Sequence, residues 1–167
     1  MGESGPPPGE GAGGVEAVVG YLRDAGVSHE VLEHDPTFSA SEDAKATGTS
    51  LAEEAKTILL RSGDHYRVAV LPASRRLDLH KVRELLDETS RLRLAAEEEM
   101  RADFPQFDLG AVPPFGAILS APEVVDRRLL DCERIVCAAG DHRHSLRLDP
   151  SEIVRVGDAL VADICED

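Results

Sequence analysis

Lys56-Thr-Ile-Leu-Leu-Arg-Ser-Gly-Asp-His-Tyr-Arg-Val-Ala-Val-Leu-Pro72 is the stretch that decides the fold. Two runs rich in apolar and β-branched residues, Thr57–Arg61 and His65–Leu71, flank the turn signal Ser62-Gly63-Asp64. Runs of that length and composition around a glycine-containing turn predict a β-hairpin. Pro72 stops the second strand, because its ring removes a ladder donor.

Upstream, Val15, Val18, Val19 and Leu22 follow the i, i+3, i+4, i+7 spacing of a helix face, and Gly26 is placed to cap it. Residues 1–14 are Gly, Pro and Glu with almost nothing apolar, which predicts a disordered tail and a folded domain over 15–167. His29–His34 alternates as a short strand, stopped by Asp35-Pro36. Ser39 with Glu42 forms a capping-box pattern for a helix that Gly48 closes, and Ser50 with Glu53 repeats it.

Downstream, Leu79, Val82, Leu85 and Leu86 predict an amphipathic helix. Arg91–Leu94 reads as a strand, Ala96–Ala102 as a short helix and Ala117–Ser120 as a strand. Arg134–Ala139 and Ser145–Leu148 form a second hairpin pattern across Gly140–His144. Pro150–Arg155 follows as a helical turn or two, then Ala159–Ile164 as a last strand. The interleaving predicts an α+β single domain, with a mixed, largely antiparallel sheet flanked by helices.

Between these elements lies Phe107-Asp-Leu-Gly-Ala-Val-Pro-Pro-Phe-Gly116. Pro113 and Pro114 remove two amide donors and bar a helix or central strand. Gly110 and Gly116 supply tight turns and let another group approach the backbone. Val112 and Phe115 hold the loop down. It is either a structural crossover or the wall of a small pocket.

The 167 residues suffice for one domain with a substantial core. Trp is absent and aromatics are 4%, which disfavours an aromatic base-stacking sheet. No apolar run approaches the ~20 residues of a membrane span, and no secretory signal is expected at the N-terminus. Cys132, Cys137 and Cys165 lack C-x-x-C spacing and point to free thiols in a reducing cytoplasm. The net charge of −14 disfavours a general nucleic-acid or DNA binder. Yet residues 61–93 carry 8 Lys/Arg against 5 Asp/Glu, while 1–60 carry 3 against 11 and 94–167 carry 7 against 16. A polyanion would therefore meet the middle third, through Arg75, Arg76, Lys81, Arg83, Arg91 and Arg93; otherwise these form a solvated mixed-charge face.

The chain has no G-x-S-x-G elbow, Walker loop, H-E-x-x-H or G-x-G-x-x-G. His142 and His144 lie two apart, but no third ligand completes a zinc spacing, so no metal is expected. Glu97, Glu98 and Glu99 suit the solvated first turn of a helix. Lys56 stands beside Glu53 and Glu54 at the mouth of an apolar strand. It either pairs with one of them at the surface or projects into a cleft as a point charge for phosphate or an oxyanion.

Six segments occur together in an informative order. They are Ala55-Lys-Thr-Ile-Leu-Leu60, Tyr66–Pro72, Leu77-Asp-Leu79, Leu94–Glu99, Gly110–Gly116 and Val136–His142. In order and spacing the chain resembles the YbaK/ProX-type aminoacyl-tRNA deacylases, related to the editing domain inserted in bacterial prolyl-tRNA synthetase. The resemblance spans about residues 15–165. It implies a cytoplasmic trans-editing hydrolase that cleaves a mischarged aminoacyl-tRNA, with tRNA-Pro carrying Ala, Cys or another small amino acid as the expected substrate. It also implies no cofactor and no protein nucleophile, with water activated by help from the substrate 2′-OH.

By the same resemblance Lys56 and Gly110 are the expected catalytic positions. Thr57, Pro113, Pro114, Phe115, Gly116 and His142 are expected around the substrate. Arg75, Arg76 and Lys81 are expected along the tRNA backbone. The partners implied are the aminoacyl-tRNA acceptor end and prolyl-tRNA synthetase or another synthetase; the acidic balance fits weak binding of the acceptor end alone or delivery through a synthetase complex. Two other readings use the same fold. One is a non-catalytic tRNA or synthetase adaptor, and the other a domain sensing a free amino acid or nucleotide.

Overall fold

A computed structural model describes residues 11–86 and 91–167. In chain order the elements are α1 (Gly11–Asp24), β1 (His29–Glu33), α2 (Ala40–Thr47), β2 (Ala55–Ser62), β3 (His65–Pro72), α3 (Leu79–Leu85), β4 (Leu92–Leu94), α4 (Glu97–Asp103), α5 (Gly116–Leu119), β5 (Glu123–Asp126), a 3-10 turn (Arg127–Asp131), β6 (Ile135–Ala138), β7 (His144–Leu148), α6 (Pro150–Gly157) and β8 (Leu160–Ala162).

The hairpin is the centre of this arrangement. Ala55 pairs with Pro72 at one end of β2–β3 and Ser62 with His65 at the other, across Gly63 at φ 61°. A five-stranded sheet grows from it in the order β4-β2-β3-β5-β8, with β3–β5 and β5–β8 parallel and the other pairs antiparallel. A second, antiparallel sheet has the order β1-β7-β6.

Alternation along the central strands divides the core. Leu59, Val68 and Val70 face the larger cluster, which α1, α6 and the three-stranded sheet close through Val18, Leu22, Ile153, Cys137 and Leu146. Leu60, Ala69 and Leu71 face the opposite way, onto Val82 of α3 and the C-terminal Ile164 and Cys165. Covered on both faces, β3 reads as an uninterrupted apolar run over Val68–Leu71. The two sheets meet where the Val136 N–H donates to the Glu53 carbonyl at 3.0 Å and Glu54 bridges Val136 in parallel.

Several local expectations are corrected. Ser50 and Glu53 do bond side chain to side chain at 2.8 Å, but close a turn that enters β2 rather than open a helix. Ala117–Ser120 is not a strand: α5 turns helically from Gly116, and Ser120 ends it at φ 54°. The strand follows at Glu123–Asp126, between two acids that are themselves buried, at 2% and 0% exposure. The first helix begins at Gly11, ahead of its first apolar position, so residues 11–14 are helical rather than part of a tail. The tail expected over residues 1–10 lies outside the described residues.

Gly116 does bring a group close to its backbone, and that group is the protein's own. A Cβ there would stand 2.5 Å from the Ala121 carbonyl and 3.0 Å from Glu123 Cβ. Gly116→Ala should therefore destabilise the fold by about 1–3 kcal/mol through forced repacking. Urea denaturation checks this, and an unchanged midpoint would contradict it.

Candidate functional site

A cavity of about 280 Å³ opens beside the seam between the sheets. Its wall combines the start of β2 (Glu54, Ala55, Lys56, Thr57), the loop before α5 (Gly110, Ala111, Val112), the stretch from Thr37 to Asp43, and the β6–β7 turn with His142. Lys56, Thr57, Gly110 and His142, distant in sequence, are thus brought together. Pro113, Pro114, Phe115 and Gly116 are buried behind this wall and do not line it. Phe115 is fully enclosed in the core, its ring 6.2 Å from that of Tyr21.

Neither surface pairing considered for Lys56 forms. The side chain is half-buried, and its ammonium has no ion-pair or hydrogen-bond partner among the described residues. Burial lowers its pKa, Cys165 opposes that shift and nearby Arg76 reinforces it. An ammonium that is partly desolvated and unpaired is set to receive negative charge from a ligand. Thr57 also borders the cavity, although its Oγ is itself buried and has no hydrogen-bond partner among the described residues.

Two turns place Gly110 and His142 together. Gly110 takes φ 83°, a conformation open to glycine at no steric cost. A Cβ there would stand 3.7 Å from His142 Cε1. The Asp108 N–H donates to the Gly140 carbonyl at 2.9 Å, tying the proline loop to the histidine turn. Asp141 Oδ1 accepts from the Arg143 and His144 N–H groups, both at 2.9 Å, and so shapes that turn.

Below the wall lies a buried polar network, and Glu54 belongs to it rather than pairing with Lys56 at the surface. Glu54 is 3% exposed and Asp43 9%. Asp43 Oδ1 accepts from Ser145 Oγ at 2.6 Å and Thr37 Oγ at 3.3 Å, and His34 Nε2 lies 3.1 Å away. Burial pushes the Glu54 carboxyl up to about 10, with Asp43 beside it as hydrogen-bond partner and as like charge. Asp43 Oδ2 and Glu54 Oε1 find no other partner, and a proton on Glu54 satisfies the pair. Glu123, beneath α5, is likewise pushed up to about 8 by burial, against the opposing bond from the Gly116 N–H.

Of the three cations expected along a tRNA backbone, Arg75 and Arg76 are exposed and make no ion pair among the described residues. Lys81 instead holds the C-terminal segment: its ammonium donates to Asp163, the Cys165 carbonyl and Asp167 at 3.1, 2.7 and 3.1 Å. Arg93 is similarly engaged, bidentate to Glu99 at 2.8 Å. Among the described residues Asp126, Asp163 and Cys165 are the one group spaced to hold a metal ion. Arg128 already bridges both carboxylates, at 3.1 Å to Asp126 and 2.9 Å to Asp163. That group reads as a neutralised structural cluster.

Residues 34–156 match the family model for the aminoacyl-tRNA editing domain. The chain belongs to that family. Family membership makes it an aminoacyl-tRNA deacylase, a carboxylic ester hydrolase. A solved structure described as a "putative trans-editing enzyme for prolyl tRNA synthetase" is 29% identical, with TM-score 0.83 over 98% of this chain and 100% of that one. The hypothetical protein APE2540 is 28% identical, with TM-score 0.81 over 89% and 99%. A protein of Marinobacter aquaeolei VT8, described as a "putative signal transduction protein", shares the fold at 17% identity and TM-score 0.68, over 90% of this chain and 31% of that one. The comparison with curated proteins gave no match.

The raised Glu54 pKa fixes a pH dependence of this deacylase. Between the ordinary 4.5 and about 10, the folded state holds a proton that the unfolded chain releases. Stability from this group is therefore complete below about 4.5 and is lost as pH rises toward 10. Chemical denaturation from pH 5 to 9 should show declining stability. In Glu54→Gln the decline should be shallower, leaving the part that Glu123 causes. A parallel profile in the variant would contradict the protonated pair.

Proposed function

We propose that this cavity hydrolyses the ester of tRNA-Pro carrying alanine, cysteine or another small amino acid, as a free-standing editing enzyme in the cytoplasm. The carrying observation is the unpaired, half-buried Lys56 ammonium on the wall of a small cavity completed by Gly110 and His142. Supporting it are the family and the 29% likeness to the "putative trans-editing enzyme for prolyl tRNA synthetase". The physical need is plain. A synthetase pocket discriminates one methylene by only ~1–3 kcal/mol, so a second, smaller sieve must remove what the first admits.

In this reading the ester carbonyl sits against Lys56, whose charge stabilises the oxyanion as it develops. Water forms the new C–O bond, the bond to the ribose oxygen breaks, and the neighbouring 2′-OH assists the proton's passage to the leaving oxygen. Thr57 and His142 orient the aminoacyl group. Gly110 keeps the wall free of a side chain, and Pro113, Pro114, Phe115 and Gly116 act from behind by fixing that loop. Arg75 and Arg76 guide the tRNA backbone, and Lys81 joins them only by exchanging Asp163, the Cys165 carbonyl and Asp167 for phosphate. A synthetase, prolyl-tRNA synthetase among the candidates, delivers the substrate. No cofactor takes part.

The test is release of labelled amino acid from Ala-tRNA-Pro, Cys-tRNA-Pro, Ser-tRNA-Ala and Ser-tRNA-Thr, with wild type beside Lys56→Ala. One or both tRNA-Pro substrates should be hydrolysed, with activity lost in the variant and its stability within about 1 kcal/mol of wild type. No hydrolysis by a well-folded wild type would contradict the reading and favour a tRNA or synthetase adaptor.

Salt provides an independent check on the arginines. Two phosphate contacts at a slope of about −0.7 each weaken binding roughly sevenfold between 50 and 200 mM salt. KM should rise accordingly, and less in the double variant Arg75→Ala, Arg76→Ala. A salt-independent KM would remove the two arginines from the account.

A further inference from the structure

Phe38 is the exception among four phenylalanines. Phe104, Phe107 and Phe115 are 8%, 5% and 0% exposed, whereas Phe38 is 71% exposed. An apolar side chain exposed singly is ordinary, so it is the setting of this ring that gives it meaning. Its position narrows the choice. The ring packs on His142 with centroids 4.7 Å apart and planes tilted by 43°.

The backbone beneath is pinned on both sides. The Phe38 N–H donates to Glu42 Oε1 at 2.8 Å, and the Thr37 N–H donates to the His142 carbonyl at 2.9 Å. Phe38 is therefore a fixed shelf at the rim of the cavity that holds Lys56 and Gly110. Beside it an open depression of about 380 Å³ is bounded by Pro36, Thr37 and Ala46, by one cation, Lys45, and by two carboxylates, Asp35 and Glu42, of which Glu42 already accepts from the Phe38 N–H. Lys45 is exposed and makes no ion pair among the described residues.

We propose that Phe38 is the stacking platform for the adenine of the terminal tRNA nucleotide, with Lys45 facing the phosphate that precedes it. The inference rests on the deacylase reading and extends it from the ester to the base. An ester held at Lys56 carries its base one ribose away, and Phe38 lies one ring contact beyond His142 on that wall. Every base offers a π-face, so one exposed, fixed ring can position the acceptor end while the small cavity judges the amino acid. The acidic balance of the chain makes such a charge-independent contact more valuable, because few cations are free to hold the nucleic acid.

The test compares two small esters that differ in the base alone: alanyl-AMP esterified at the 2′(3′)-hydroxyl, and the alanyl ester of ribose 5-phosphate. Wild type should hydrolyse the adenosine ester with the higher kcat/KM. Phe38→Ala should lower kcat/KM for that ester by about 5- to 150-fold, the range of one base–aromatic stack. The loss should fall mainly on KM and leave the base-free ester unchanged, while Phe38→Tyr retains activity.

Equal losses on both esters would mean that Phe38 merely supports His142, and would overturn the proposal. Binding of AMP by equilibrium dialysis reads the same contact without catalysis. A 5- to 150-fold weakening in Phe38→Ala is expected, with ribose 5-phosphate binding unchanged. Unaltered AMP binding would overturn the proposal even in a fully active enzyme. Loss of AMP binding in the variant, with neither ester hydrolysed by wild type, would uphold the platform while contradicting the deacylase reading.

Discussion

Everything at this site depends on the seam where the two sheets meet. One backbone hydrogen bond, from Val136 to Glu53, and the bridge at Glu54 hold β6 against the mouth of β2. The cavity opens beside that seam, with Glu54 and Ala138 both on its wall. The same seam makes Glu54 face inward onto Asp43, because the bridge leaves no route to solvent. Two carboxyls in so small a buried space cannot both ionise cheaply, so one keeps its proton. The cavity is therefore floored by the protonated Glu54 beside Asp43, while the Lys56 ammonium on its wall is a cation without a partner among the described residues. An enzyme that handles an ester and must stabilise negative charge benefits from that division.

The loop from Phe107 to Gly116 works through its attachments. Phe115 and Gly116 anchor it in the core, and Asp108 ties it to Gly140. Between those anchors Gly110 meets His142 across the cavity. Rigid support behind and bare backbone in front is a physical recipe for a preorganised wall. It explains why the residues of this loop divide into those that line the site and those that hold it.

Much of the fold was legible because its central strands obey simple rules. The β2–β3 hairpin showed itself through two apolar runs and a glycine turn. The Ser39 cap and the Gly48 stop of α2 behaved as their chemistry predicts, with Gly48 at φ 68°. β5 was not legible, since Glu123 and Asp126 disguise a fully buried strand as a charged one. Ala117–Ser120 misled because a short apolar run such as Ala-Ile-Leu fits a strand as well as a helical turn, and the bonds of Gly116 with Ala121 and Glu123 make the choice. At the site, Lys56, Gly110 and His142 were reachable through segment order, while Glu54 was read as a surface acid for want of any local sign of burial. Phe38 carried no signal, as a lone phenylalanine is ordinarily core.

The central claim is that an aminoacyl-adenosine end docks between the Lys56 strand, the Gly110 loop and the His142 turn. Titrating the labelled protein with a non-hydrolysable amide, 3′-alanylamino-3′-deoxyadenosine, and following backbone amide NMR shifts tests it most directly. The account predicts saturable shifts concentrated at Lys56, Thr57, Gly110, Ala111 and His142. Shifts clustered elsewhere on the surface, or none at millimolar ligand, would contradict it.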